Sequence, residues 1–139
     1  MMKTAKQIGN IGEDIAEKYL KKHFWRILSR NYIARGGEID IIAYRNGVLA
    51  YFEVKARSND SFGRPSDAVD AEKISHIRTA SRDFEATYCS GGRVPVFYPL
   101  GIEKRRAIRK KRIDVIEIYL SPDKKSGKVN HIKDWGNRL

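Results

Sequence analysis

Asp40, Glu53 and Lys55 are the residues whose types and spacing could do chemistry in this chain. Two carboxylates aimed at one point ask for a cation, and a divalent metal beside a lysine is a combination suited to phosphodiester hydrolysis. That reaction needs a cation on the phosphoryl oxygens, an activated water in line and a positive group for the developing charge. Two carboxylates and a backbone carbonyl are hard-oxygen donors that suit magnesium, which keeps several waters of its own. Asp40 and Glu53 are therefore the expected metal ligands, assisted by the Val54 carbonyl, with magnesium as the ion and manganese as its substitute. Lys55 would orient the water or stabilise the charge.

The element that would bring the acids together is a hairpin. Ile39-Asp40-Ile41-Ile42 and Tyr51-Phe52-Glu53-Val54-Lys55 flank Asn46-Gly47, a pair that tolerates the positive φ of a type I′ turn. Counting outward, Arg45 pairs with Val48, Ala43 with Ala50, Ile41 with Phe52 and Ile39 with Val54, an apolar face. The other face pairs Ile42 with Tyr51, Asp40 with Glu53 and Glu38 with Lys55. Like charges directly opposed repel, so an acid pair here needs a reason. Without a metal, Glu-x-Lys on a strand is ordinarily a solvated, salt-bridging edge, and Glu38 is better read as a cross-strand partner of Lys55 than as a ligand.

The remaining elements follow from periodicity. Ile8, Ile11, Ile15 and Tyr19 recur at helical spacing, and Gly9, Gly12 and Ala16 would let a neighbouring backbone come close. On the helical wheel Glu13 lies just past the apolar arc, placed to look sideways at the sheet and to hold a second ion or a water. Residues 25–33 read as a strand, with Gly36-Gly37 as its turn. Residues 58–70 read as a loop with Gly63 and Pro65. A second helix follows, capped by Asp70, with Ile74, Ile77, Ala80 or Ser81, Phe84 and Tyr88 as its face. Residues 94–100 are a short extended piece interrupted by prolines, and residues 112–120 a β-branched strand. Residues 124–128 read as a polar loop. The order αβββαβ describes an α/β fold with a central mixed β-sheet and helices packed against it. The face bearing Ile39, Ile41, Phe52 and Val54 is expected to receive them.

Composition narrows the function classes. The 139 residues suit one domain, 1–139, with 41% hydrophobic and 32% charged residues. Of the net charge of +11, residues 101–139 supply +7, with 12 basic and 5 acidic groups. Lys104, Arg105, Arg106, Arg109, Lys110, Lys111 and Arg112 crowd a basic loop at about residues 101–112. Such a surface favours polyanions by counterion release, nucleic acid above all. The loop is expected to track a phosphate backbone beside the acids, with Arg57 and Lys73 as further phosphate contacts. No apolar face suits an anionic membrane, and no membrane partner is expected. Cys89 is the only cysteine, which excludes an internal disulfide and a thiolate zinc cluster. His23, His76 and His131 lack ligand spacing, and Trp25 and Trp135 read as core residues. The polar start predicts no signal peptide, which makes a reducing cytoplasm the expected location.

These residues also carry a resemblance. Gly37-Glu38-Ile39-Asp40 followed by Glu53-Val54-Lys55 resembles the bipartite motif of the PD-(D/E)XK nuclease superfamily. More closely, the chain resembles the YraN-like family of predicted endonucleases, similar to archaeal Holliday-junction resolvases. The likeness includes Gly12-Glu13, Tyr19-Leu20, Ile27-Leu28 with Asn31, Phe62-Gly63, Pro65, Ala68-Val69, Lys73 and Arg112-Ile113-Asp114-Val115, in order over about four-fifths of the chain. It implies a restriction-endonuclease-like core, a magnesium-dependent nuclease centre at Glu13, Asp40, Glu53 and Lys55, and a homodimer. Relatives tend to have glycine near the end of the first helix where this chain has His23-Phe24, and the segment 91–111 is longer than the family leads one to expect. The expected function is a magnesium-dependent endonuclease acting on DNA, branched DNA such as Holliday junctions included. A non-catalytic nucleic-acid-binding protein with the same fold and an RNA-directed nuclease are the alternatives.

Overall fold

Thr4 opens the first helix, α1 (Ala5–Lys22), with a capping box. Its hydroxyl accepts from the Gln7 N–H at 3.1 Å, and its own N–H donates to the Gln7 side chain at 2.8 Å. The last turn carries Lys21 and Lys22, which complement the helix dipole. The computed structural model describes residues 3–58 and 71–138. The expected loop after residue 58, with Gly63 and Pro65, and the Asp70 cap lie outside the described residues.

Three antiparallel strands follow: β1 (Arg26–Ala34), β2 (Gly37–Arg45) and β3 (Val48–Ser58). After α2 (Ala71–Tyr88) come β4 (Arg93–Tyr98), β5 (Ile102–Ala107), β6 (Lys110–Leu120) and β7 (Gly127–Ile132), then a short 3-10 turn at Trp135–Arg138. The central sheet has the order β1-β2-β3-β6-β7, with β3 and β6 parallel and the other neighbours antiparallel. This five-stranded mixed sheet with helices packed on it is the expected architecture and is consistent with a restriction-endonuclease-like core. The strand β7 and the separate hairpin β4–β5 extend the expected αβββαβ order.

Two expectations need correction. The helices do not share one face of the sheet. Ala16 and Leu20 of α1 pack with Ile41, Ala43, Ala50, Phe52, Ile116 and Ile118. Ile74, Ile77, Ala80 and Phe84 of α2 pack with Ile39, Ile42, Tyr44, Leu49, Tyr51 and Val115 on the other. Both sides of the sheet bear apolar residues at its turn end, so each buries one helix. Second, the basic segment is not a loop. Residues 102–107 form β5, paired antiparallel with β4 from Arg93↔Ala107 to Tyr98↔Ile102. Leu100 and Gly101, both at positive φ, turn the chain between them. Inside that hairpin Val94 and Val96 are buried against the α2 side while β5 stays largely exposed.

Among the described residues no helix is long and apolar enough to cross a membrane. Trp25 and Trp135 are buried in the two cores, as expected.

Candidate active site

The Asn46-Gly47 turn closes as its residue types dictate, with φ of 47° and 86°. Five pairs of the counted register are present, from Arg45↔Val48 to Ile41↔Phe52. There the ladder stops. Asp40 and Glu53 are not a ladder pair, because Asp40 Oδ2 accepts the Val54 N–H at 2.8 Å in place of a β2 carbonyl. Alternation breaks at the same point: Ile39 turns to the α2 side although Ile41 faces α1. Across the strand, Asn31 of β1 has a positive φ of 55° between the pairs Arg30↔Ile41 and Tyr32↔Ile39. The irregularity frees Asp40 from a regular sheet position.

The side chains meet nonetheless. Asp40 lies close enough to Glu53 for its charge to raise the Glu53 carboxyl. Glu53 is only 3% exposed. Its Oε1 lies 3.6 Å from Lys55 Nζ and 3.4 Å from Lys73 Nζ, the latter in the first turn of α2. Glu13 of α1 is near enough to Asp40 for their charges to interact, and Arg30 Nε reaches Glu13 at 3.4 Å. Gly12 makes this approach feasible, since a Cβ there would sit 2.6 Å from that of Ala56. The acid that Lys55 meets is thus Glu53 where Glu38 was expected, and exposed Glu38 contributes negative charge near Asp40.

Burial raises all three carboxyls, and a neighbouring acid adds to each rise. Glu53 is pushed up to about 7, first by desolvation and then by Asp40, against the pull of Lys73 and Lys55. Desolvation raises Asp40 too, against the Val54 N–H and Lys73, and the Glu38 charge adds to the rise. Glu13 rises through burial and then through Asp40. A further acid escaped sequence reasoning: Glu117, fully buried on β6, stands in register with Lys55. Its Oε1 accepts from Asn130 at 2.8 Å, and its Oε2 has no hydrogen-bond partner. The β-branched strand pattern around it could place it on the sheet, but only the parallel pairing with β3 puts it opposite Lys55.

The donor set can be tested against a metal. Among the described residues no three His, Cys, Asp or Glu side chains are arranged to hold an ion together. In a strand, a residue's N–H and C=O project to the same edge, so the Val54 carbonyl faces Asp40 beyond the end of the ladder. Two raised carboxyls and that carbonyl fit magnesium, which accepts one or two carboxylates and completes its shell with water.

The expected phosphate contacts divide. Lys73 joins the acids. Arg57 lies near Glu117, whose carboxylate it favours. Lys104, Arg105, Arg106, Arg109, Lys110 and Lys111 do not sit beside the acids. Lys110 pairs in register with Val48 and Glu53 with Val115, so the basic group is ~15–20 Å away at the turn end of the sheet. There Lys111 is ion-paired with Glu85, and Lys110 lies 3.5 Å from Asp134.

The fold and this centre define an α/β protein with a buried carboxylate–lysine cluster at the end of a paired hairpin. The family model described as Uncharacterised protein family UPF0102 matches residues 12–118, and the chain belongs to that family. The match spans Glu13, Asp40, Glu53 and Lys55. The chain is 40% identical over 129 residues to a UPF0102 protein of Alkaliphilus oremlandii, covering 93% of this chain and 97% of that one. A UPF0102 protein of Caldanaerobacter subterraneus is 36% identical over 128 residues, covering 91% and 92%. One of Clostridium beijerinckii is 37% identical over 134 residues, covering 96% of each.

Proposed function

We propose that the protein is a magnesium-dependent endonuclease that hydrolyses phosphodiester bonds in DNA, acting as a homodimer. The supporting observation is the buried Glu53 carboxyl, with Lys55 and Lys73 on its Oε1 and Asp40 close enough for its charge to raise it. Two neighbouring acids withdrawn from water are poorly matched to each other and well matched to a divalent ion. Asp40, Glu53 and the Val54 carbonyl would hold magnesium, whose charge would polarise a phosphoryl oxygen and acidify a coordinated water. The Val54 N–H fixes one oxygen of the Asp40 carboxylate. Lys55 is positioned to stabilise charge on the transferring phosphoryl group. Lys73 binds a neighbouring phosphate, and Glu13, held by Arg30, accepts a proton or orients water.

A second reading draws on the same ion pairs. Lys55 and Lys73 together neutralise Glu53 without a metal, as a nucleic-acid-binding protein lacking turnover would require. Incubation with supercoiled plasmid and a synthetic four-way junction, in magnesium or EDTA, separates the two. The nuclease cuts in magnesium alone, and Asp40→Asn and Lys55→Ala each abolish cutting. Wild type that binds both substrates and cuts neither would sustain the binder.

A further inference from the structure

At the turn end of the sheet, two hairpins enclose a cavity of about 730 Å³. The Gly47 carbonyl accepts N–H groups of Arg109 and Lys110 at 2.7 and 3.1 Å, and Tyr44 OH donates to the Ala107 carbonyl at 2.8 Å. These bonds hold β4–β5 against the β2–β3 turn. Arg26, Arg45, Arg93, Arg105, Arg106 and Arg109 line the space between. No carboxylate lines it, and among the described residues none of the six forms an ion pair. So many unpaired guanidinium groups around one hollow repel each other, and a polyanion relieves the repulsion.

Aromatic rings stand among the charges. Arg26 and Arg106 lie over the Tyr98 ring at 4.7 and 5.3 Å, and Arg106 Nε also donates to Tyr98 OH at 2.9 Å. A second hollow of about 490 Å³ adjoins the first through Phe24 and Arg26 and is edged by Phe97. Its one acid, Glu17, is already paired with Lys21 at 2.9 Å and Arg30 at 3.7 Å. Phe24 is 84% exposed and Phe97 60%. Phe24 moreover holds a φ of 68° just after α1, where glycine is the unstrained residue. An exposed ring kept in a strained conformation at the mouth of an arginine cleft calls for a ligand with flat faces.

We infer that this cleft binds single-stranded nucleic acid, its arginines on the phosphates and the exposed rings of Phe24 and Phe97 against the bases. Alternating guanidinium and aromatic surfaces are the means by which proteins hold an unpaired strand without reading its sequence. The cavity has the volume of a small-molecule pocket, which admits extruded nucleotides and excludes a duplex. The inference deepens the nuclease reading by naming the form of the polyanion. It places strand capture ~15–20 Å from the acids, so a substrate must carry an unpaired segment beside the bond to be cut.

The test is fluorescence anisotropy with labelled oligothymidylate in EDTA, which makes binding independent of metal and turnover. The double variant Arg26→Glu/Arg106→Glu is expected to lose about tenfold or more in affinity while melting as wild type does. Phe24→Gly removes the ring and relieves the backbone. It should weaken oligothymidylate about fivefold or more and leave an abasic strand of equal length unaffected. Wild-type affinity in the arginine variant overturns the inference, as does equal weakening of abasic and base-bearing strands by Phe24→Gly. Blunt duplex competing as well as the single strand also overturns it. Nuclease failure would appear separately, as intact binding without cleavage.

Discussion

Two buried acid centres occupy the same sheet and are built in opposite ways. Asp114 on β6, with no exposed surface, accepts hydrogen bonds from Arg112 at 2.9 and 3.2 Å, from His131 at 2.8 Å and from the Asp134 N–H at 2.8 Å. His131 in turn meets Tyr19 OH at 3.1 Å, tying α1 to β7. Burial alone would raise the Asp114 carboxyl, but those donors hold it below the usual carboxylate value. Asp40 and Glu53 are also withdrawn from water, yet face each other and sit above theirs. A carboxylate whose lone pairs are all answered within the chain serves the fold. A pair left in mutual conflict is open to something the fold does not supply.

The largest effect that sharpens this contrast is Asp114→Ala. It strands Arg112 and His131 in the interior and is expected to cost about 3–5 kcal/mol in chemical denaturation. If magnesium occupies the acid centre, saturating ion should raise wild-type stability by about 2.7 kcal/mol at a hundred times Kd and leave Asp40→Asn unmoved, read by thermal melting. Gly12→Ala forces a methyl into Ala56 and should cost about 1–3 kcal/mol. It also draws Glu13 away from Asp40, so under the nuclease proposal cleavage should fall in the surviving folded protein. Asp40→Asn relieves the acid conflict and should stabilise by about 1 kcal/mol in EDTA. A clear loss there would erase the distinction between the centres. Acidification gives the gentlest probe. Because the folded pKa of Asp114 is depressed, its contribution is full above the unfolded value near 3.8 and is lost as pH falls through the lower folded value. Denaturant midpoints from pH 5 downward should fall more steeply in wild type than in Asp114→Asn.

Much of this was legible in the residues. The Asn-Gly turn and alternation on both sides of it give the hairpin, its register to Ile41↔Phe52, and the convergence of Asp40, Glu53 and Lys55. What alternation could not reveal was its own interruption. Asn31 at positive φ and the turned Ile39 are local departures from period two, and a count that assumes period two carries straight through them. The apolar set Ile39, Ile41, Phe52 and Val54 points to one face for both helices, yet Ile42 and Tyr51 on the other face pack with α2. The basic segment read as a loop because Lys104, Arg105 and Arg106 give no apolar alternation. Its pairing depends instead on β4, whose Val94 and Val96 supply the inward face. Glu117 and the arginine cleft depend on contacts between strands distant in sequence, which no local pattern encodes.

The Gly47 carbonyl couples distant parts of the molecule. One oxygen at the tip of the first hairpin fastens the start of β6, and β6 is the parallel neighbour that carries β3 and its acids. Inserting a residue into that bend would therefore slide the rung that bears the acids, unseat the arginine-bearing ribbon and shift the entry of a central strand together. Natural length variation should be barred from this bend, whereas the opposite tip at Leu100 and Gly101, fastened to nothing comparable, is free to lengthen.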